Sequence, residues 1–275
     1  MFNGILSHES YVLLDGYHLT GVNSVSVSSK NSSSVISPIG TEMGLTIPSG
    51  PTQQSMSLSR HLIYQDPFFD YVGKDRPVKG EIHDLQNESF YGFESGYIKN
   101  YSVNCAVGSI PKVNTSFTIL DEIKSGKVPE VGVSKKTHNT IESSSQGSIS
   151  IESEDFQNNR VVGFDYSISV DQDVSYAIGS TLPFYIKEKR PIKYTASVQL
   201  ELDKTYNSQS FDFLNSRQDR TISMDVKGRR GASLQYIEIP NASLVSRNLS
   251  QTAKGLMIMN LSYVGHLGAD RDFLP

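Results

Sequence analysis

The chain has 275 residues, with 25 Lys and Arg set against 29 Asp and Glu for a net charge of −4. That length holds one large domain or two of ordinary size. The charge balance excludes the strongly basic face that grips a nucleic-acid backbone, and the single cysteine, Cys105, excludes an internal disulfide framework.

The first residues, MFNGILSHES, carry no basic stretch leading into an apolar run, so no secretory signal is expected. No run elsewhere approaches the roughly 20 apolar residues of a membrane span. Period-two alternation then begins. In NSVSVSS, Val25 and Val27 share one face, and Ser24, Ser26 and Ser28 share the other. GLTIPSGP at 44–51 is a Gly/Pro turn. SMSLSRHLI follows, with Met56 and Leu58 opposite Ser55, Ser57 and Ser59. Strands of this kind have one dry and one wet face. DPFFDYVG at 66–73 suits a short helix, with Pro67 in its first turn. In EIHD, Glu81 and His83 share a strand face and could touch a metal. Without a third ligand in view, a solvated strand end is the simpler expectation. The aromatics of FYGFESGY, Phe90, Tyr91, Phe93 and Tyr97, are either hairpin packing or an exposed binding patch. YSVNCAVGSIPKVNTSFTIL, residues 101–120, reads as strand, turn, strand, with Cys105 as a small buried filler.

Residues 121–160 are polar and poor in large apolar side chains, which predicts either a disordered linker or an arm draped over a neighbouring subunit. Alternation resumes in YSISVDQD and in TASVQLELD. In the second of these, Ala196, Val198, Leu200 and Leu202 oppose Ser197, Gln199, Glu201 and Asp203. SFDFLNSRQDR at 210–220 suits another short helix. KGRRG at 227–231 is a basic hairpin tip, facing water or a salt bridge between subunits. NLSQTAKGLMIMNLSYVGHL closes the chain as a second strand-turn-strand unit.

The two halves repeat these signals in order. NSVSV at 23–27 answers to YSISV at 166–170, and GPTQQSMSLSRHL to RPIKYTASVQLEL. The short helices follow in each half, then VKGEI at 78–82 against ISMDV at 222–226. Last come the hairpins, with Val103 and Asn104 at the places of Leu249 and Ser250, and Ser116 and Phe117 at those of Ser262 and Tyr263. The expected fold is mainly β: two similar β-sandwich or partial-barrel domains, each with one short helix. The first covers 1–123 with an N-terminal arm, 124–155 is a polar linker or inter-subunit arm, and the second covers 156–275. No nucleophile elbow, phosphate loop or spaced His/Cys ligand set is present, so no catalytic, cofactor-binding or metal-binding residues are expected and the chain is not expected to be an enzyme.

In GVNSVSVS, SPIGTEMGLTIPSGPTQQSMSLSR and YIKNYSVNCAVGSIPKVNTSF, and again in VVGFDYSISV and IPNASLVSRNLSQTAKGLMIMNLSYVG, the chain resembles the tube domain of tailed-bacteriophage tail tube proteins. The resemblance implies a structural virion protein. Its threefold, pseudo-sixfold rings would stack into a tail tube around a channel for genome delivery, assembled in the host cytoplasm. The partners implied are further copies of the chain, other tail proteins such as terminator, hub or sheath, and DNA only in transit, with no membrane. Ser55, Ser57, Ser59, Ser197, Gln199, Glu201 and Asp203 are candidates to line the channel. Lys135, Lys136, Glu152, Glu154, Arg229 and Arg230 are candidates for contacts between subunits. A hub or adaptor ring at the tail end, a β-sandwich receptor-binding or decoration module, and an enzyme with a dispersed site are the alternatives.

Overall fold

The computed structural model describes residues 10–36, 45–64, 66–84, 88–127, 149–153, 161–202, 220–227, 233–251 and 257–267. The protein is mainly β, and its strands pair antiparallel throughout. The first half holds β1 (Ser10–Leu14), β2 (Tyr17–Leu19), β3 (Val22–Ile36), β4 (Leu45–His61), β5 (Val78–Asp84), β6 (Ser89–Ala106), β7 (Lys112–Ile119) and β8 (Lys124–Lys127). The second holds β9 (Ile149–Ser153), β10 (Val161–Ser169), β11 (Gln172–Tyr176), β12 (Pro183–Glu188), β13 (Ile192–Leu202), β14 (Arg220–Lys227), β15 (Ser233–Gln251) and β16 (Met257–Leu267). All but β11 and β12 belong to one 14-stranded sheet; those two form a separate hairpin.

In the first half the strand order is β3-β4-β7-β6-β5-β1. In the second it is β10-β13-β16-β15-β14-β9. The two orders are the same, strand for strand. The ladders also break at matching places. Val22 and Ser24 stand opposite Arg60 and Ser59, as Val161 and Gly163 stand opposite Leu200 and Gln199. Ile98 and Asn100 meet Phe117 and Ser116, as Leu244 and Ser246 meet Tyr263 and Ser262. Val78 and Gly80 meet Gly96 and Phe93, as Arg220 and Ile222 meet Ala242 and Ile239. A β-bulge is a specific local feature, because each inserts one unpaired residue and bends its strand.

These bulges fix which residues correspond. Ser57 stands where Ser197 stands, Ser116 where Ser262 does, and Val103 where Leu249 does, as the sequence pattern proposes. Two other matches move. NSVSV at 23–27 corresponds to 162–166 rather than 166–170, and VKGEI at 78–82 to 220–224 rather than 222–226. Both corrections are even-numbered. With a side-chain period of two, an even slip keeps every residue on its face and leaves the alternation unchanged.

The long strands β6 and β15 each serve two neighbours. Their first parts pair with β5 and β14, and their later parts, past the bulge, with β7 and β16. The halves are joined where Asn100–Ala106 of β6 lies along Gly163–Ser169 of β10. The alternating apolar residues of both halves meet in one hydrophobic cluster, which includes Leu58, Val103, Phe117, Tyr166, Val198 and Tyr263.

At 66–73 the structure has a three-residue 3-10 turn, Phe69–Tyr71, in place of the expected helix. Asp66 Oδ1 accepts the Phe68 N–H at 2.9 Å, which forms a tight turn after Pro67's neighbour, and Gly73 at φ +72° ends it. Too few residues lie between these two stops for an α-helix to propagate. The expected helix at 210–220 falls outside the described residues, except for Arg220, which begins β14. Of the 124–155 segment, 124–127 pairs with β6 as β8 and 149–153 pairs with β14 as β9.

Candidate functional site

One face of the sheet is lined across eight neighbouring strands by hydroxyl and amide side chains. The order β3-β4-β7-β6-β10-β13-β16-β15 carries it across both halves. Ser24, Ser26 and Ser28 lie opposite Ser59, Ser57 and Ser55. These in turn face Asn114, Ser116 and Thr118 on β7. Asn100, Ser102 and Asn104 continue the face on β6, then Ser169, Ser167 and Asp165 on β10. Thr195, Ser197 and Gln199 carry it over β13 to Ser262 and Asn260 on β16, and Ser246 and Asn248 end it on β15.

The face is cross-linked by its own side chains. Ser26 and Ser57 share a hydrogen bond of 2.7 Å, and Ser28 and Ser55 one of 2.9 Å. Asn100 donates to Ser116 at 3.1 Å, Asn104 donates to the Asp165 carboxylate, and Ser167 and Thr195 are 2.6 Å apart. Such pairs hold rotamers across the strands and still leave lone pairs and donors for water. Depressions lie along the face. One, of about 560 Å³, lies over Ser102, Asn104, Lys112, Asp165, Ser167 and Ser197; another, of about 250 Å³, over Ser24, Ser57, Asn100 and Ser116; and one of about 830 Å³ between Ser28, Lys30, Ser55 and Asn100 and the β11–β12 hairpin.

The structure puts the expected channel residues Ser55, Ser57, Ser59, Ser197, Gln199 and Glu201 together on this one face. Met56, Leu58, Ala196, Val198, Leu200 and Leu202 are buried on the other. Asp203 lies outside the described residues, as do Lys135, Lys136, Glu154, Arg229 and Arg230. The backbone of Glu152 stands opposite Ser223 in the β9–β14 ladder, and its side chain lies outside the described set. The alternation showed β3, β4, β10 and β13 as half-wet strands. It did not show that they form a single surface, because that depends on the β6–β10 junction between residues some 60 positions apart.

Behind this face lies a buried polar cluster that the sequence reading missed. Arg60 takes the apolar parity after Met56 and Leu58 and is 0% exposed. It forms an ion pair with Asp66, between the rings of Tyr64 and Phe68 at 5.9 Å each. Asp66 also accepts from the Tyr101 hydroxyl at 2.6 Å, and Gln235 Nε2 donates to that hydroxyl at 2.8 Å. The cluster therefore links β4 and β6 to β15 of the other half. Burial works against the Arg60 charge, but Asp66 and the two phenols more than offset it and hold the guanidinium above its ordinary pKa. Burial, reinforced by the Asp66 charge, pushes the Tyr101 phenol well up. The available signal was a charged residue falling on the dry parity of SMSLSRHL.

His83 is not at a solvated strand end. It is 1% exposed, stacked on Tyr11 at 4.7 Å, and bonded through Nε2 to Glu81 at 2.8 Å. Burial alone would raise the Glu81 pKa; the bonds from His83 and Lys79 outweigh it and bring the carboxyl below its usual value. Among the described residues no three His, Cys, Asp or Glu side chains are grouped so that they could hold a metal ion. In the aromatic stretch, Phe93 is buried, Phe90 lies against His83 and Tyr91 is exposed. Cys105 is buried, and burial together with the nearby Asp165 charge pushes its thiol pKa up to about 12. No protein-family model matches the chain, and no curated protein sequence matches it significantly.

Proposed function

We propose that this chain is a structural ring-forming protein of a phage tail tube, built from two copies of one β unit, with its hydroxyl face lining the channel. The observation that carries this reading is the junction between the halves. There β6 and β10 zip two matching units edge to edge. The counterparts of those edges are the second edges of β15 over 246–251 and of β3. Neither has a strand beside it among the described residues. A chain with an unsatisfied edge at each end and a worked example of their pairing in its middle is a head-to-tail protomer. Repeating that heterologous contact either closes a ring or grows a filament.

Strand geometry sets a lower bound on the ring size. Each chain brings eight strands to the inner sheet. With strands about 4.8 Å apart and tilted about 40°, a barrel of sixteen is roughly 32 Å across its backbone and one of twenty-four roughly 48 Å. A side-chain layer of about 5 Å on each wall then leaves roughly 22 Å for two chains and 38 Å for three. Three is the smallest number that clears a B-form duplex, whose two grooves are each roughly 8 Å deep, together with its hydration. Serine, threonine and asparagine suit that wall. They bind water well and offer phosphate no fixed cation; Lys30, Lys112 and Lys193 share the face, as do the carboxylates Asp165 and Glu201, and the hydroxyl rows between them give a polyanion no counterion-linked anchor. Negative-stain images of the purified chain test this reading. Threefold rings or tubes with an open centre are expected; compact single chains at all concentrations would overturn it.

A further inference from the structure

We infer that the ring closes with one defined register: Ser250 of one copy stands opposite Ser26 of the next, Asn248 opposite Ser28, and Leu249 opposite Val27. This inference rests on the ring reading above and specifies its interface. The partner is a second copy of this chain, joined through backbone hydrogen bonds between β15 and β3.

The register follows from the ladders. The bulges equate Ile98 and Asn100 with Leu244 and Ser246, so Asn104 corresponds to Ser250. They equate Val22 and Ser24 with Val161 and Gly163, so Asp165 corresponds to Ser26. Inside the chain Asn104 stands opposite Asp165, Ser102 opposite Ser167 and Val103 opposite Tyr166. Carrying that junction to the free edges gives the stated pairs, with Arg247 opposite Ser29 next beyond Asn248 and Ser28.

Burial provides an independent sign. At the internal junction Val103, Phe164 and Tyr166 are buried. Their counterparts at the open edges are not: Leu249 is 44% exposed, and Val25 and Val27 are only half covered. These apolar residues have the parity of a core and lack only the neighbour that would complete it. Pairing β15 with β3 supplies the neighbour. It also continues the hydroxyl face without a break, since Ser26, Ser28, Asn248 and Ser250 all fall on that side. A slip of one residue would turn Leu249 onto the wet face. A slip of two is excluded only by the correspondence of the bulges.

Cysteine pairs in the full-length chain read the register directly. Residues directly opposite have Cβ atoms about 5 Å apart, and diagonal ones about 7–8 Å. The double substitution Ser26→Cys with Ser250→Cys should oxidise rapidly to covalent dimers and closed trimers on a non-reducing gel. Ser24→Cys or Ser28→Cys, each with Ser250→Cys, should lag at least tenfold. Native Cys105 is buried and should not compete. Faster linkage at either offset pair, or no linkage in preparations whose images show rings, would overturn the register and leave the ring intact. Absence of rings in the unsubstituted chain would overturn both.

Discussion

The two halves share a ladder but fill it differently. In the first, Phe93 lies over glycines at 80 and 96, where an added Cβ would come within 2.3 and 2.5 Å of its ring. At the matching places the second half has Ile239, Ile222 and Ala242. On the next layer the exchange runs the other way. Tyr194 covers Gly265 in the second half, where the first has Gln54 opposite Ile119. Arg60, held by Asp66, stands where the second half has Leu200. What persists between the halves is parity, strand order and bulge position. What varies is side-chain volume, compensated within each cross-strand pair, and in one place an ion pair exchanged for an aliphatic. Cores tolerate such exchanges when local volume and patterning are kept.

The largest expected effect comes from breaking the element the second half lacks. Asp66→Ala strands a buried guanidinium and removes the acceptor for Tyr101 and Phe68. It should cost about 3–5 kcal/mol by denaturant titration. A loss under 1 kcal/mol would show that Arg60 finds water or another partner. The volume exchange makes the next test. Gly265→Ile alone drives a side chain into Tyr194, since even a Cβ would lie 1.9 Å from its hydroxyl, and should cost roughly 1–3 kcal/mol or more. Adding Tyr194→Gln imports the first-half pair and should recover at least about 1 kcal/mol of that loss. A purely additive double mutant would mean that the two positions are not true counterparts.

A smaller effect is expected from converting the first half towards the second. Arg60→Leu with Asp66→Asn removes both charges and keeps an acceptor for Phe68. Melting should place it within about 1 kcal/mol of the parent. A cost like that of Asp66→Ala alone would assign the ion pair a structural role that volume cannot replace. The smallest effect is pH-dependent and confined to β5, since β14 has Ser223 at the counterpart of Glu81. The Glu81 pKa is lowered in the folded chain, so its contribution is complete above the unfolded glutamate value of about 4.3 and is lost as pH falls through the lower folded value. Glu81→Gln should flatten that acid-side slope by no more than about 1 kcal/mol, since burial of Glu81 opposes the bonds from His83 and from the half-exposed Lys79. An unchanged slope would remove Glu81 from the acid response.

The same comparison shows why part of the architecture was legible in the sequence and part was not. Alternation in NSVSVSS, SMSLSRHL and TASVQLEL marks strands and their faces, because a half-buried strand must alternate. Ser57 and Ser197, and Val103 and Leu249, take the same places relative to the ladder bulges as in the sequence pattern, in segments that Gly/Pro turns and hairpins bound. The matches over 23–27 and 78–82 slipped by even steps, because period two cannot distinguish them and the bulges that can leave no letter in the sequence. Arg60 was overlooked because its partners, Asp66, Tyr101 and Gln235, come from three separate elements. The hydroxyl face was foreseen strand by strand, and its continuity arises only where β6 meets β10.

A cross-section of the assembled protein by electron cryo-microscopy tests the central claim most directly. The account predicts three chains and twenty-four inner strands, with Ser57, Ser116, Ser197 and Ser262 facing an open channel and β15 of each chain hydrogen-bonded to β3 of the next. A ring with those serines on its outer surface, or one closed through any other pair of edges, would contradict it.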